Sequence, residues 1–529
     1  MTQPDRKPSQ PGEAEAPPSQ TKTTKEAERR RRWRRAHKAE LKADRAARAD
    51  TSFFGHPQGL ATLFGLELWE RFSYLGFQAI LALYFADAIA NGGLGYEKTT
   101  ASSVVAAYGA LVYLLAIAGA WIADRISGTY RAVLWGGTII AAGHIFMGIP
   151  REFSTWVGLA LIIIGTGLLK PNVSTMVGEL YEKGDHRRDA GFSIYYSGIN
   201  IGAFLGPVIA GFLGQKINWH WGFAAAAVGM ILGLIQYVWG RKHLAGRMRA
   251  AAVQESFRPD KNFYLTIAIV GAGFIVATIF ALVSHNGLDR LINIVTGITA
   301  IVPAVFLIYM YRSKRVTETE RRNLAPYSLL LVALVAYNLM YFQTGNTLNF
   351  LALEQTNNVL LGYEYPSTWY ISLTAIVEIA MGPVLAWLWV KLGRRQPHVA
   401  AKVGIGTVLG GFAFVVIALG AWTTGTSGLI PALWVVACYV FLGLGDLVLQ
   451  TSGMSATTKL APRAFASQTM ALWFAAMALA QGIQAQVVKY STVENTVSYF
   501  GIQGLIVMAY GALLIALTPW LSKRMKAVA

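Results

Sequence analysis

Runs of some twenty apolar residues, each closed by a short polar or basic loop, recur along the chain after its first fifty positions. About 20 such residues, rising 1.5 Å each as helix, cross the hydrocarbon of a bilayer. The pattern therefore predicts fourteen spanning helices, at roughly 60–86, 101–123, 130–149, 156–179, 191–215, 219–240, 263–284, 290–311, 325–353, 367–390, 399–421, 430–452, 465–488 and 498–521. Lys and Arg orient them. With the N-terminal tail and every second loop on one side, that side holds thirty-nine of the 46 Lys and Arg. The other side holds five, Lys98, Arg151, Lys216, Arg290 and Lys489, while Arg71 and Lys170 fall inside spans. Such an excess places both termini in the cytoplasm of a multi-pass protein of the cell (inner or plasma) membrane.

Composition agrees with lipid and argues against a soluble enzyme. Of 529 residues, 54% are hydrophobic and 14% charged, with a mean hydropathy of +0.42; soluble domains carry about a quarter charged residues. The net charge of +18 raises the question of nucleic acid. Its densest part is the run Arg29 to Arg35 in a tail whose first fifty residues hold fourteen Lys/Arg against eight Asp/Glu. The remainder lies in short loops, where topology accounts for it. The tail reads as a solvated arm beside anionic lipid, and no nucleic-acid partner is expected. Residues 8–20 are rich in Pro, Ser, Gln and Glu, so no cleavable leader is expected before the first span. One cysteine, Cys438, supports neither a disulfide nor a thiolate metal site, and neither metal nor cofactor is expected.

Ionisable residues within spans are the informative ones, because a charge at the centre of a spanning helix costs at least about 2.5–3.5 kcal/mol. The first span holds Glu67, Glu70 and Arg71, followed by Tyr74 and Gln78. Spacings of four, three and four put Glu67, Arg71, Tyr74 and Gln78 on one stripe, with Glu70 beside it. Two carboxylates around one guanidinium leave an acid free to exchange a proton. The fourth span carries Lys170 before Pro171 and Asn172, roughly 20 Å from Trp156 and 14 Å from Glu179, so its ammonium wants a carboxylate partner. Tyr113, Tyr196 and Asn200 add polar tips in the second and fifth spans. An enzyme reading finds little: Gly425-Thr426-Ser427-Gly428 matches the serine signature of intramembrane proteases but lies in an outer loop, and His144 reads as a packed core residue.

The halves look alike. Residues 119–131 after the second span and 388–395 after the tenth each form a basic, Gly-bearing turn, similar to the loop signature of the major facilitator superfamily. Glu67-Leu68-Trp69-Glu70-Arg71-Phe72-Ser73-Tyr74, preceded by Gly55 to Leu60, resembles the E-x-x-E-R-F-x-Y-Y-G motif of the proton-dependent oligopeptide transporter family. Gly167 to Asn172, Phe192 to Phe204, and Leu460 to Met470 running on to Trp473-Phe474 resemble its fourth-, fifth- and eleventh-helix signatures. The resemblance extends over residues 53–520. It implies an all-α integral membrane protein of the major facilitator fold, two six-helix bundles plus two extra central helices. Its units would be a basic tail (1–52), a bundle (53–240), a linker with two inserted helices (241–322), a second bundle (323–522) and a short tail (523–529).

The resemblance also implies roles. Glu67, Glu70, Arg71 and Lys170 would handle the proton; Arg71, Tyr74, Gln78, Tyr113, Lys170, Asn200, Gln343, Asp446 and Trp473 would hold substrate. Glu378 joins the proton set on its own position inside a span and not on the resemblance. Departures from the family pattern gather in the second half. Leu75 replaces the motif's second tyrosine, Gln78 a frequent arginine, Thr374 an eighth-helix asparagine and Asp446 a tenth-helix glutamate; Met477 stands at a usually small position. The segment from Tyr341 through Phe342 to Phe350 lacks the seventh-helix glutamate of many members and, like Gln78, is similar to the enterobacterial dipeptide-permease branch. Glu378, one turn beyond Thr374, is a new acid that could replace that glutamate as amino-terminus partner or proton site. The expectation is a monomeric symporter that imports di- and tripeptides with protons by alternating access. Transport of another small zwitterion, peptidomimetic or carboxylate, and peptide sensing without transport, stay open as alternatives.

Overall fold

The structure, a computed structural model, describes residues 49–182, 185–244, 286–425 and 428–525. Long apolar runs free of internal turn residues become long helices, because each backbone polar group must find its partner within the segment. The first six are α1 (Gln58–Ala86), α2 (Lys98–Ile122), α3 (Thr129–Met147), α4 (Glu152–Glu179), α5 (Arg187–Lys216) and α6 (Trp219–Trp239). Then come α7 (Gly287–Arg312), α8 (Glu318–Tyr341), α9 (Thr347–Glu354), α10 (Ser372–Leu392), α11 (Val399–Thr424), α12 (Ala432–Leu460), α13 (Ala466–Val487), α14 (Thr496–Ala516) and a short α15 (Thr518–Arg524). Eleven described helices are long and apolar enough to cross a membrane. The charged α1 and the 19-residue α3 occupy two further predicted spans. The predicted span 263–284, most of the N-terminal tail and part of the Gly425–Gly428 turn lie outside the described residues.

One prediction is refined. The span at 325–353 is not one helix: α8 gives way to a tight turn over Phe342–Gly345, and α9 starts afresh. Asn346 causes the restart, since its side chain accepts the Thr347 amide as an N-cap at 2.6 Å while its own backbone leaves the helical region.

Helices α1–α6 pack as one half and α8–α14 as the other, with α13 also packed along α2 across the boundary. Equivalent crossings recur in both. Where α3 meets α4, a side chain at Gly136 would lie 2.7 Å from the Gly165 carbonyl; where α11 meets α12, one at Gly406 would lie 2.8 Å from the Gly445 carbonyl. Small residues let these backbones touch. The basic turns after the second helix of each half also correspond, with Gly128 and Gly393 both at positive φ. The inserted α7 lies against α13 and α2, bonded through Thr296 to the Gly482 carbonyl and through Asp289 to Lys489.

The halves are tied at the end where α1 finishes and α2 begins. Lys98 pairs with Glu354 at 2.5 Å and Lys216 with Glu364 at 3.3 Å. Asn349 donates to the Ala79 carbonyl, Ser372 to that of Phe204, Trp369 to that of Val208, and Gln215 to the Ser367 hydroxyl. A two-residue hairpin turn at Leu361-Gly362, both at positive φ, caps this end. Toward the other end the halves part: α10 buries only Ser372, Thr374 and Ala375 of its first turn.

Candidate functional site

Arg71 organises the first wall of the space between the halves. Its Nε donates to a Glu70 carboxylate oxygen and lies 3.3 Å from Glu67 Oε1. It is held in place because α5 presses on it backbone to backbone: a side chain at Gly202 would lie 2.8 Å from Arg71 Cβ and 2.9 Å from the Phe72 amide. Burial then leaves the three charges little but one another and the Tyr195 hydroxyl, which hydrogen-bonds Glu67. Glu70 Oε1 and Arg71 Nη2 find no hydrogen-bond partner among the described residues, so the cluster has donor and acceptor capacity in reserve.

Lys170 answers the expectation of a carboxylate partner differently. Its ammonium donates to the Tyr113 hydroxyl at 3.3 Å and lies over two rings, 4.3 Å from the Tyr113 centroid and 5.5 Å from that of Tyr74. Among the described residues no carboxylate forms an ion pair with it. The π faces offset part of the burial cost of a cation while leaving its charge uncancelled. Arg71 also lies over Tyr74, at 5.2 Å. Asn172 fixes this part of α4 by donating to the carbonyls of Leu168 and, on α2, Gly119.

The facing wall is acidic. Asp446 on α12 accepts from Gln450 at 3.1 Å. Helix α10 crosses α12 so closely that a side chain at Gly443 would lie 3.1 Å from both the Thr374 carbonyl and Val377 Cβ. Glu378 thus projects one turn from Thr374 beside Asp446, which stands three residues beyond Gly443. Trp473 fills the space left by Gly453, where a side chain would lie 2.6 Å from its ring.

One cavity of about 320 Å³ collects ten of the twelve candidates: Glu67, Arg71, Tyr74, Gln78, Tyr113, Lys170 and Asn200 from the first half, Glu378, Asp446 and Trp473 from the second. That volume suits a small molecule. A model of the POT family (PTR2) matches residues 130–508. The chain belongs to the POT family. It is 42% identical over 481 residues to the uncharacterized transporter YclF of Bacillus subtilis (strain 168), covering 90% of this chain and 96% of that one. It is 38% identical over 491 residues to a di-/tripeptide transporter of Lactococcus lactis subsp. cremoris, covering 90% and 98%. A crystal structure of a peptide transporter POT in complex with sulfate matches with a TM-score of 0.86 at 43% identity, covering 90% of this chain and 97% of that one. POT-family members are proton-coupled peptide transporters, and this chain is a transporter, not an enzyme.

Two of the twelve candidates do not reach the cavity of this POT-family chain. Gln343, expected to touch substrate, is fully buried in the turn between α8 and α9. Its Nε2 donates to the Leu339 carbonyl and to Gln503, and its Oε1 accepts from Thr347 and Tyr499. The broken helix turns the side chain into its own half, where all its capacity is used. Glu70 lies behind Arg71 and acts on the cavity only through it. Conversely Tyr195, Asn338, Tyr341 and Gln450 line the cavity unforeseen. Gln450 follows Asp446 by four, so helical periodicity from a site residue was the available signal for it. Asn338 and Tyr341 share a face of α8 at a spacing of three, with no site residue on that helix to announce them.

Proposed function

We propose that this chain imports di- and tripeptides together with protons, carrying them through the central cavity by alternating access. The charge distribution of the cavity carries the reading: Arg71 and Lys170 stand on one wall, Asp446 and Glu378 on the other. A zwitterionic peptide presents one carboxylate and one ammonium, and each meets its opposite charge across the gap. Tyr74, Gln78, Tyr113 and Asn200 offer hydrogen bonds to the backbone between them, and Trp473 walls a side-chain pocket.

Proton coupling follows from the competition for Arg71. With both acids ionised, Glu67 and Glu70 hold the guanidinium; protonating one frees a donor for the peptide carboxylate. Proton and peptide thereby bind each more tightly in the presence of the other. One proton crossing 100 mV releases about 2.3 kcal/mol, enough for roughly fifty-fold accumulation of a neutral solute. No cofactor enters this scheme.

The loop charges support a cell-membrane orientation with both termini in the cytoplasm, which makes the bonded end the outer one and the described conformer inward-facing. We assign the moving bundles to 53–240 and 323–522, the linker to 241–322 and the tails to 1–52 and 523–529. Because one chain supplies every wall of the cavity, a monomer suffices. The test is uptake of labelled dialanine into proteoliposomes under an inward proton gradient. Accumulation that a protonophore abolishes is expected; no uptake by correctly oriented protein overturns the reading.

A further inference from the structure

Inside the first half, away from the central cavity, both ring nitrogens of His144, the Tyr108 hydroxyl and Glu70 Oε1 are buried with no hydrogen-bond partner among the described residues. His144 is wholly inaccessible, and Tyr108 and Glu70 nearly so. Native proteins rarely leave such groups idle: they meet ordered water or serve chemistry.

These groups form a seam. Glu70, Phe77 and Tyr84 recur every seven residues along α1 and stand on one stripe, about 10 Å apart per step. At the middle step, His144 of α3 and Tyr108 of α2 set their rings edge-on to Phe77, at 5.2 and 5.8 Å between centroids. At the step nearer the outer end, half-buried His220 of α6 sets its ring edge-on to Tyr84 at 5.6 Å. The Tyr84 hydroxyl lies 2.9 Å from that of Thr155 on α4, and His220 Nδ1 lies 3.0 Å from the Met147 carbonyl, one turn along α3 from His144. At the rim, Tyr96 donates to Glu152, and Trp219 to Asp87. At the inner end of the seam stands Arg71, paired with Glu70.

We propose that this seam is a proton route, running from His220 through His144 and Tyr108, bridged by ordered water, to Glu70, without entering the peptide cavity. The His144 imidazole takes a proton at one nitrogen and releases another from the second; a tautomer exchange restores it. Tyr108 accepts and donates through one oxygen. The proton ends on Glu70, whose carboxylate becomes a carboxyl and lets go of Arg71. Glu70 suits that end point because it lies behind Arg71, outside the cavity wall. The inference rests on the proton-coupled reading above.

The full chain, as wild type, His144→Phe, His144→Gln and Tyr108→Phe, is compared in proteoliposomes by two readouts: dialanine accumulation driven by a proton gradient, and gradient-free counterflow into dialanine-loaded vesicles. His144→Phe keeps a ring against Phe77, and Tyr108→Phe loses one oxygen only. Each variant is expected to cut driven accumulation at least fivefold while counterflow stays within twofold of wild type. Driven accumulation at the wild-type level in either His144 variant overturns the route, and so does a parallel loss of counterflow, which is the signature of a structural role. Failure of the wild type itself to accumulate dialanine overturns the transport reading, and the route with it.

Discussion

Lys170 and Glu378 are ionisable groups of opposite kind with the same condition: each faces the cavity, and neither has an ion-pair partner among the described residues. An ionisable group left unpaired inside a membrane protein costs stability in either state, so it must be returned as function. For Glu378 this yields a prediction. Glu378→Gln keeps the shape and removes the ionisation, and should lower dialanine uptake at least fivefold and change its pH profile, measured from pH 5 to 8. Uptake and profile both like wild type would reduce Glu378 to a packing residue. The six charged candidates were legible in the sequence for this energetic reason, since nothing cheap explains Glu67, Glu70, Arg71, Lys170, Glu378 or Asp446 inside apolar runs. Neutral polar residues were less so. Gln343 in one span and Asn200 in another read alike as text, but one is spent on Gln503, Thr347 and Tyr499 and the other lines the cavity. The break at Asn346 decides between them, and a break seen only as Gly-Asn in an apolar run does not say which way the preceding turn points.

At the scale of elements, glycine crossings set how near α1 and α5 come, and so where Arg71 stands. A methyl at Gly202 would meet the Leu68 carbonyl and the Phe72 amide, which are backbone and cannot swing aside. Gly202→Ala should therefore destabilise the chain by about 1–3 kcal/mol, seen as a lower midpoint of thermal unfolding in detergent. Gly297→Ala, on α7 with nothing within 4 Å of the added carbon, should not lower it and gains helix propensity. The start of α1 makes a second case. His56 Nδ1 lies 2.9 Å from the Tyr181 hydroxyl, at the end of α4. Burial, with the Arg187 guanidinium adding to it, holds the imidazole below its ordinary range, although Asp185 pulls the other way. The unfolded chain then takes up the proton first, so the stability that neutral His56 contributes is complete above its ordinary pKa of about 6.5 and is lost as pH falls below it. The unfolding midpoint should drop between pH 7 and 5, and His56→Gln should flatten that drop; an identical slope in the variant would clear His56 of the effect. Helix positions were the most legible feature of the whole sequence, because lipid leaves the backbone so few choices.

The whole molecule is two similar halves that pack along α2 and α13 and are closed by polar ties at one end, and the character of that closure matters for how it moves. Lys98–Glu354 and Lys216–Glu364 are partly exposed pairs, and such pairs contribute roughly 0–1 kcal/mol each. The remaining polar ties at this end are single hydrogen bonds to carbonyls or hydroxyls that water could replace. The polar closure of this end is thus made of many weak contacts rather than one strong lock, beside an apolar cluster that joins Phe350 to residues of α1 and α2. Weak polar contacts are what a two-state element needs if a proton and a peptide are to shift it. If transport requires this end to open, tethering it must stop transport. Cysteines replacing Lys98 and Glu354, joined by a short bifunctional thiol reagent, should abolish dialanine uptake, and reduction of a cleavable linker should restore it. The native Cys438 is fully buried and should not compete for reagent. Each single-cysteine variant, treated alike, should keep its uptake, which separates tethering from mere modification. Uptake that survives complete cross-linking would mean that the halves stay together at this end throughout the cycle, and that substrate enters by another path.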